Sequence, residues 1–307
     1  WITRVAFVFS FCLYLQHRLL KLGKDGLPEA ADDSNGRIGQ TMRRDIEEGL
    51  NMERLHELSS TFGKFKHSQL FVGTHATSNA RSTLHFDQMD NLFLQIAGRK
   101  RFVIYEPTEA GNLYAWPVHH PLDRRAQVDL RNEDDSRFPR LAKAIKREVI
   151  LEPGDLLFLP AYWWHEVTTL PVQPNEITVS INFWYTLNWQ TQLDRLPLRG
   201  TFLLEAARQL EMFVAEMLGS PRLLAPFMRA AGRQMRAIRE GRVGGGTELW
   251  EELHDGTSRP HEELAKVRKW EGLFEFIAWK AVGLVGAERA LTLVEDLCDA
   301  ARFECIA

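Results

Sequence analysis

The stretch "STLHFDQMDNLFLQIAGRKRFVIYEP", Ser82 to Pro107, decides how this chain is read. Apolar residues recur on both sides of Ala97-Gly98, so it reads as two β-strands around a tight turn. Yet His85, Asp87, Asn91 and Lys100 stand among Leu, Phe, Ile and Val. Strand alternation puts His85 and Asp87 on one side, about 6.6 Å apart along the strand, and Asn91 shares that parity. A carboxylate buried beside a histidine needs a partner, because an unpaired buried charge is costly. A metal ion would satisfy both groups; a hydrogen-bonded core pair is the plainer alternative.

Working outward, "PAYWWHEV" offers a third ligand in His165, just past the strand that follows Pro153-Gly154. Two histidines and a carboxylate on one face of a metal leave other positions open, the arrangement of non-haem Fe(II) oxygenases. Lys100 shares parity with Phe102 and Ile104, so one cation is committed to their side of the strand. Inside a barrel it asks for an anion, which one end of a dicarboxylate co-substrate would supply; an edge lysine with its head in water is the alternative. In "EITVSINFWY" the odd positions Ile177, Val179, Ile181 and Phe183 are apolar, and the even ones are Thr178, Ser180, Asn182 and Trp184. A polar inner face suits the wall of a ligand-holding barrel, although an ordinary strand with its polar side in water reads the same. His119 and His120 are a competing metal candidate, but adjacent residues on an extended segment point opposite ways. His75 has no carboxylate near it and reads as structural.

The surroundings set the frame. The chain has 307 residues, 45% hydrophobic, enough for a large core or a domain with an appendage. The net charge of −3 gives no basic stripe for nucleic acid, which is not expected as a partner. Cys12, Cys298 and Cys305 are too scattered for a disulfide scaffold, so a reducing compartment is expected, cytoplasmic or nuclear. The chain opens on Trp1 and is expected to lack its natural start. "WITRVAFVFSFCLYLQ" is short of a membrane span and reads as a buried strand rather than a signal peptide. No membrane association is expected. "EVILEPGDLLFLP" reads as strand, turn, strand, with Pro153-Gly154 at the centre of a type II turn. From about Thr201 the pattern is helical, with Leu203, Leu210, Phe213, Val214 and Met217 on a broad apolar face. The expected division is a β-rich domain over 1–190 and a helical segment over 200–307.

With these residues in hand, the chain resembles the JmjC/cupin class of Fe(II)- and 2-oxoglutarate-dependent oxygenases, and within it the asparaginyl hydroxylases typified by factor inhibiting HIF. The likeness is carried by "LHFDQMDNLFLQIAGRKRFVIYEP", "LYAWPVHHPLDRRAQVD", "PGDLLFLPAYWWHEV" and "ITVSINFWY". The resemblance implies a mainly β fold, a double-stranded β-helix (jelly roll), with a C-terminal helical segment that makes a homodimer. It implies iron held by His85, Asp87 and His165. It implies 2-oxoglutarate paired with Lys100, hydrogen-bonded by Tyr14 and Ser82, in a pocket lined by Asn91 and Asn182, with O2 as the second co-substrate. Arg124 and Trp184 would lie near a protein or peptide substrate whose side chain is hydroxylated. One departure stands out: where the family has Arg-Gln, this chain has Arg124-Arg125. An arginine only donates hydrogen bonds and is always charged, so an aspartate target stands beside asparagine. A lysyl hydroxylase or demethylase, a tRNA-modifying oxygenase and a non-enzymatic cupin module are the other readings of the same pattern.

Overall fold

The computed structural model describes residues 15–22, 28–30, 48–49, 57, 63–74, 77, 79–173, 176–187, 198, 200–242 and 260–303. Tyr14, His75, Cys12 and Cys305 lie outside them. The chain divides into two units: residues 1–105 with 145–191, and residues 106–144 with 192–307.

The described strands of the first unit all pair antiparallel. β1 (Leu15–Leu22), β2 (Pro28–Ala30), β3 (Phe65–Thr74), β4 (Met89–Ala97), β7 (Leu156–Leu159) and β9 (Ile177–Thr186) form one sheet in the order β2-β1-β3-β9-β4-β7. β5 (Lys100–Tyr105), β6 (Arg147–Leu151) and β8 (Trp164–Thr169) form the other, in the order β6-β5-β8. From β4 onward the chain passes between the two sheets at β4 to β5, β6 to β7, β7 to β8 and β8 to β9, the interleaving of a double-stranded β-helix. Phe93 of the first sheet meets Phe102 of the second edge to face, 5.0 Å between ring centres, with Ile104, Leu151 and Leu159 around them.

Two expected turns are present but join different strands than a hairpin would. The turn at Gly98 passes from β4 in one sheet to β5 in the other. Pro153-Gly154 likewise leads from β6, paired with β5, to β7, paired with β4. Alternation and turn residues identify strands and corners, but not the strand that each one pairs with. The Pro153-Gly154 turn has the expected form: Gly154 has φ 96°, and the Asp155 N–H donates to Glu152 O at 3.0 Å.

Gly98 has φ 66°, and a Cβ there would lie 2.6 Å from Thr178 Oγ1 and 3.1 Å from Thr178 Cα. The side chain of Gln95 seals this corner, donating to Ala97 O at 2.7 Å and accepting from Ser180 Oγ at 2.9 Å.

The second unit is helical: α1 (Gly200–Leu218), α2 (Leu224–Arg239), α3 (Pro260–Val285) and α4 (Ala287–Leu297). α1 stops at Gly219, φ 77°, where only glycine is unstrained. Pro221 then opens a 3-10 turn that leads into α2, with Ser220 Oγ accepting the Arg222 N–H. Val214, Phe227, Met228, Ile277, Ala281, Val294 and Phe303 are buried completely or nearly so. The segment after β5, residues 106–144, groups with these helices rather than with the strands. Three arginines fasten it there. Arg208 grips Asp123 with two hydrogen bonds, 2.6 and 3.0 Å. Arg140 pairs with Asp299. Arg302 pairs with Glu211 at 2.8 Å, and the other Glu211 oxygen accepts the Val118 N–H at 2.6 Å.

The broad apolar face of α1 therefore has partners within its own unit: Leu210 and Val214 are buried in the helical core, and Leu203 and Phe213 pack against it. Met217 remains 43% exposed. The width of the stripe is accounted for without a second copy of the chain.

Two outcomes follow from this packing. Gly98→Ala is expected to cost about 1–3 kcal/mol in chemical denaturation, since it combines a left-handed backbone with a steric clash. Leu210→Arg is expected to lower the melting temperature of the helical unit, by roughly 3 kcal/mol of stability, because it places a charge in a packed core. A Leu210→Arg variant with parental thermal stability would show that this face is open.

Candidate metal centre

The second sheet has a ragged edge, and the site is built there. Residues 79–87 run beside β8 as an incomplete fourth strand. Arg81 bridges Thr168, and His85 bridges His165. The Ser82 N–H donates to Val167 O at 2.9 Å, and His85 and His165 exchange both backbone bonds, at 3.0 and 2.7 Å. From Ser82 to His85 is three steps; from Val167 to His165 is two. The extra residue is a bulge, and Ser82 Oγ fills it by accepting the Val167 N–H at 2.9 Å. In a regular strand Ser82 and His85 would face opposite ways. With the bulge, both line the same cavity.

His85 and Asp87 thus precede β4 rather than lying within it, which corrects the regular strand expected from the sequence. They still converge with His165: the ligand atoms of the three residues lie within 4.8 Å of one another. His165 Nε2 is 3.6 Å from Asp87 Oδ2, and the two imidazole centres are 4.3 Å apart. Each imidazole is held from behind. His85 Nδ1 meets Thr83 O at 2.7 Å and His165 Nδ1 meets Trp163 O at 3.0 Å. A carbonyl only accepts, so each Nδ1 carries the proton and each Nε2 keeps its lone pair. Burial, and then the neighbouring His85, push the His165 pKa down to about 4, so its ring is neutral at ordinary pH. Two imidazole lone pairs and a carboxylate oxygen fit a divalent first-row cation.

The cavity has a volume of about 440 Å³. Along β5, Ile104 faces His165 and Lys100 faces Thr169, so Lys100 starts about 13 Å along the strand from the ligands. Its side chain is buried, with the ammonium 5.2 Å from the Phe71 ring and 5.1 Å from that of Phe93. Burial lowers its pKa to about 7. The inner face of β9 is polar as expected: Thr178, Ser180, Asn182 and Trp184 are buried, while Ile177 on the other face is 48% exposed. Asn91 Oδ1, Asn182 Oδ1 and Trp184 Nε1 are buried with no hydrogen-bond partner among the described residues. Orphaned polar atoms around a cavity are what a polar ligand satisfies.

His85, Asp87, His165, Ser82, Asn91, Lys100, Asn182 and Trp184 are brought together on this cavity. Arg124 and Arg125 belong to the second unit, where both are exposed and Arg124 has φ 65°. His119 is exposed, and His120 stacks on Trp116 at 3.9 Å while its Nδ1 accepts the Leu122 N–H. Two cavity residues, Gln69 and Phe71 on β3, were not read from the sequence. Their signal was faint: two inward positions in "FKHSQLFVGT", opposite Asn182 and Ser180. Arg81 was also missed, a cation buried against Glu166 at 2.9 Å.

Known proteins share stretches of this sequence. A 119-residue stretch is 32% identical to the lysine-specific demethylase JMJ31 of Arabidopsis thaliana, covering 38% of this chain and 21% of that protein. Lysine-specific demethylase 8 of Xenopus tropicalis is 36% identical over 105 residues, 34% of this chain and 22% of its own length. The tRNA wybutosine-synthesizing protein 5 of Gallus gallus is 33% identical over 151 residues, 48% of this chain and 44% of its own. The chain spans less than half the length of each. The model of the Cupin-like domain matches residues 30–190, more than half of the 307. With two interleaved antiparallel sheets and a cavity between them, this chain belongs to the family of Cupin-like domains.

Proposed function

We propose that this protein is an Fe(II)- and 2-oxoglutarate-dependent dioxygenase that hydroxylates a protein side chain. One observation carries the reading: two histidines with their lone pairs turned inward and a carboxylate share a cavity with a buried lysine. His85, Asp87 and His165 would hold the iron. Bound there, iron supplies O2 activation coupled to oxidative decarboxylation of 2-oxoglutarate. The chain's own residues do the rest. Lys100 pairs with the distal carboxylate of the co-substrate. Ser82, whose oxygen already accepts from Val167, has its hydroxyl proton to donate to the same group. Asn91, Asn182 and Trp184 offer polar atoms to the ligand, and the apolar walls of Phe71, Phe93 and Phe102 exclude water. O2 takes part as the second co-substrate.

Asparagine or aspartate is the target first in line, from the likeness of the "WPVHHPLDRR" loop, with Arg124 and Arg125 as the groups that would meet it. Tyr14 is assigned to the co-substrate and the homodimer to the helical segment on the same likeness. A second reading is favoured by the relatives' names: a lysine demethylase or a tRNA-modifying oxygenase on the same fold. Succinate formation, measured with Fe(II) and 2-oxoglutarate against Asn or Asp peptides, methyl-lysine peptides and tRNA, separates these. No stimulation by any substrate class, with metal bound, would favour a cupin module without chemistry.

Lys100 makes two outcomes specific. A charge-assisted bond is worth about 1.5–3 kcal/mol, so Lys100→Met is expected to weaken 2-oxoglutarate binding roughly ten- to a hundredfold with metal binding retained. The second outcome concerns protons. The folded, ligand-free protein holds Lys100 at a pKa of about 7, lowered from 10.5 by burial. The unfolded chain therefore binds the extra proton across that window, so ligand-free stability rises with pH from about 7 to 10.5 and carries the full penalty below 7. A bound dicarboxylate restores the charge. At pH 8 its binding is expected to take up close to one proton per ligand, falling toward none below pH 6. Calorimetry in buffers of different ionisation enthalpy reads this directly, and uptake independent of pH would remove Lys100 from the anion site.

A further inference from the structure

We propose that Arg81 and Glu166 form a clamp that positions His85 and His165, a role that rests on reading these histidines as metal ligands. His165 and Val167 line the cavity, so strand alternation turns Glu166, between them, to the opposite face of the sheet. Arg81 meets it there. Its Nη1 lies 3.0 Å from one Glu166 oxygen and 2.9 Å from the other. The two side chains are 9% and 5% exposed, unlike the solvated pairs that contribute little. Arg101, on the neighbouring strand, is gripped by Glu148 at 2.6 Å through two nitrogens.

The place of the pair gives it its role. The seam between residues 79–87 and β8 is regular up to Ser82 and again at His85, and irregular between them. Arg81 stands just before the bulge. Glu166 stands between the two β8 residues that face it. The clamp therefore spans the stretch of this seam where backbone pairing lapses. Register matters there because a slip of one residue turns a side chain to the other face. A slip at this seam takes His85 off the cavity and separates it from His165. Glu166 lies on the far side of the sheet from the ligands and Arg81 reaches it from the edge of the cavity, so the clamp acts on the metal through the backbone of the seam.

The test uses the full chain and Co(II) alone, with affinity read from the absorption titration and amide exchange read by mass spectrometry. Arg81→Met is expected to weaken Co(II) binding about tenfold or more, the scale of outer-sphere losses. Arg81→Lys is expected to recover part of it. Exchange at Ser82–His85 should quicken by about tenfold, while Phe102–Ile104 of β5 keep their parental rates. Should Arg81→Met fail to fold, Glu166→Gln carries the test, since the amide keeps the shape and removes the charge. Unchanged Co(II) affinity in the folded variants overturns the clamp, and so does exchange that quickens equally across the sheet. If the parent binds Co(II) no better than His85→Ala, the metal reading itself has failed and the clamp falls with it.

Discussion

The two backbone hydrogen bonds exchanged by His85 and His165 hold the site together. They couple an irregular segment to β8 and set the two imidazoles 4.3 Å apart. Much else follows from that one rung. Asp87 lies two residues on, and its carbonyl accepts the Tyr162 N–H at 2.7 Å, which ties the approach to β8 back to the same segment. Behind each ring a carbonyl two residues earlier fixes the protonated nitrogen. The ligand set is thus organised by main-chain geometry, and the side chains need only small adjustments to meet a cation.

Charge inside the first unit is distributed with economy. Arg81 and Glu166 neutralise one another on one face of the second sheet. Lys100 is buried on the other face, where aromatic rings are its neighbours and burial lowers its pKa. The polar atoms of β4 and β9 that face the cavity are not used up by the fold: Asn91, Asn182 and Trp184 each keep one buried atom without a partner among the described residues. A core built for stability alone satisfies such atoms. These three line the cavity, where a polar ligand would reach them.

Much of this was legible in the sequence, and the limits have physical causes. The polar residues of the site could be picked out because each violates the apolar pattern around it: His85, Asp87, Asn91 and Lys100 in one stretch, and Asn182 in another. The inner face of β9 followed from period-two alternation. The bulge did not, because an extra residue leaves no mark in composition; Ser82 and His85 have the wrong spacing for one face of a regular strand. Pairing partners were also hidden. Gly98 and Pro153-Gly154 announce sharp turns, and nothing local says that each turn changes sheets. The stripe on α1 was plain in the sequence, but its partners were not, since Trp270, Ile277 and Val294 lie far along the chain. Arg81 gave no signal in the sequence because its partner Glu166 is 85 residues away.

The way the strands alternate between sheets governs how the protein can be made. β3 lies between β1 and β9, and its rungs with β9 begin at Phe65 opposite Tyr185. Neither β3 nor β4 has its central neighbour until β9 has been synthesised. The histidine rung, by contrast, needs only residues up to Thr169. A chain ending at Thr169 has every residue of the ligand seam but an open-edged sheet, because β9 is still missing. Such long-range pairing folds slowly and leaves strand edges exposed in the interval. The same topology that encloses the cavity makes its closure wait for β9, the last strand of the sheet in chain order.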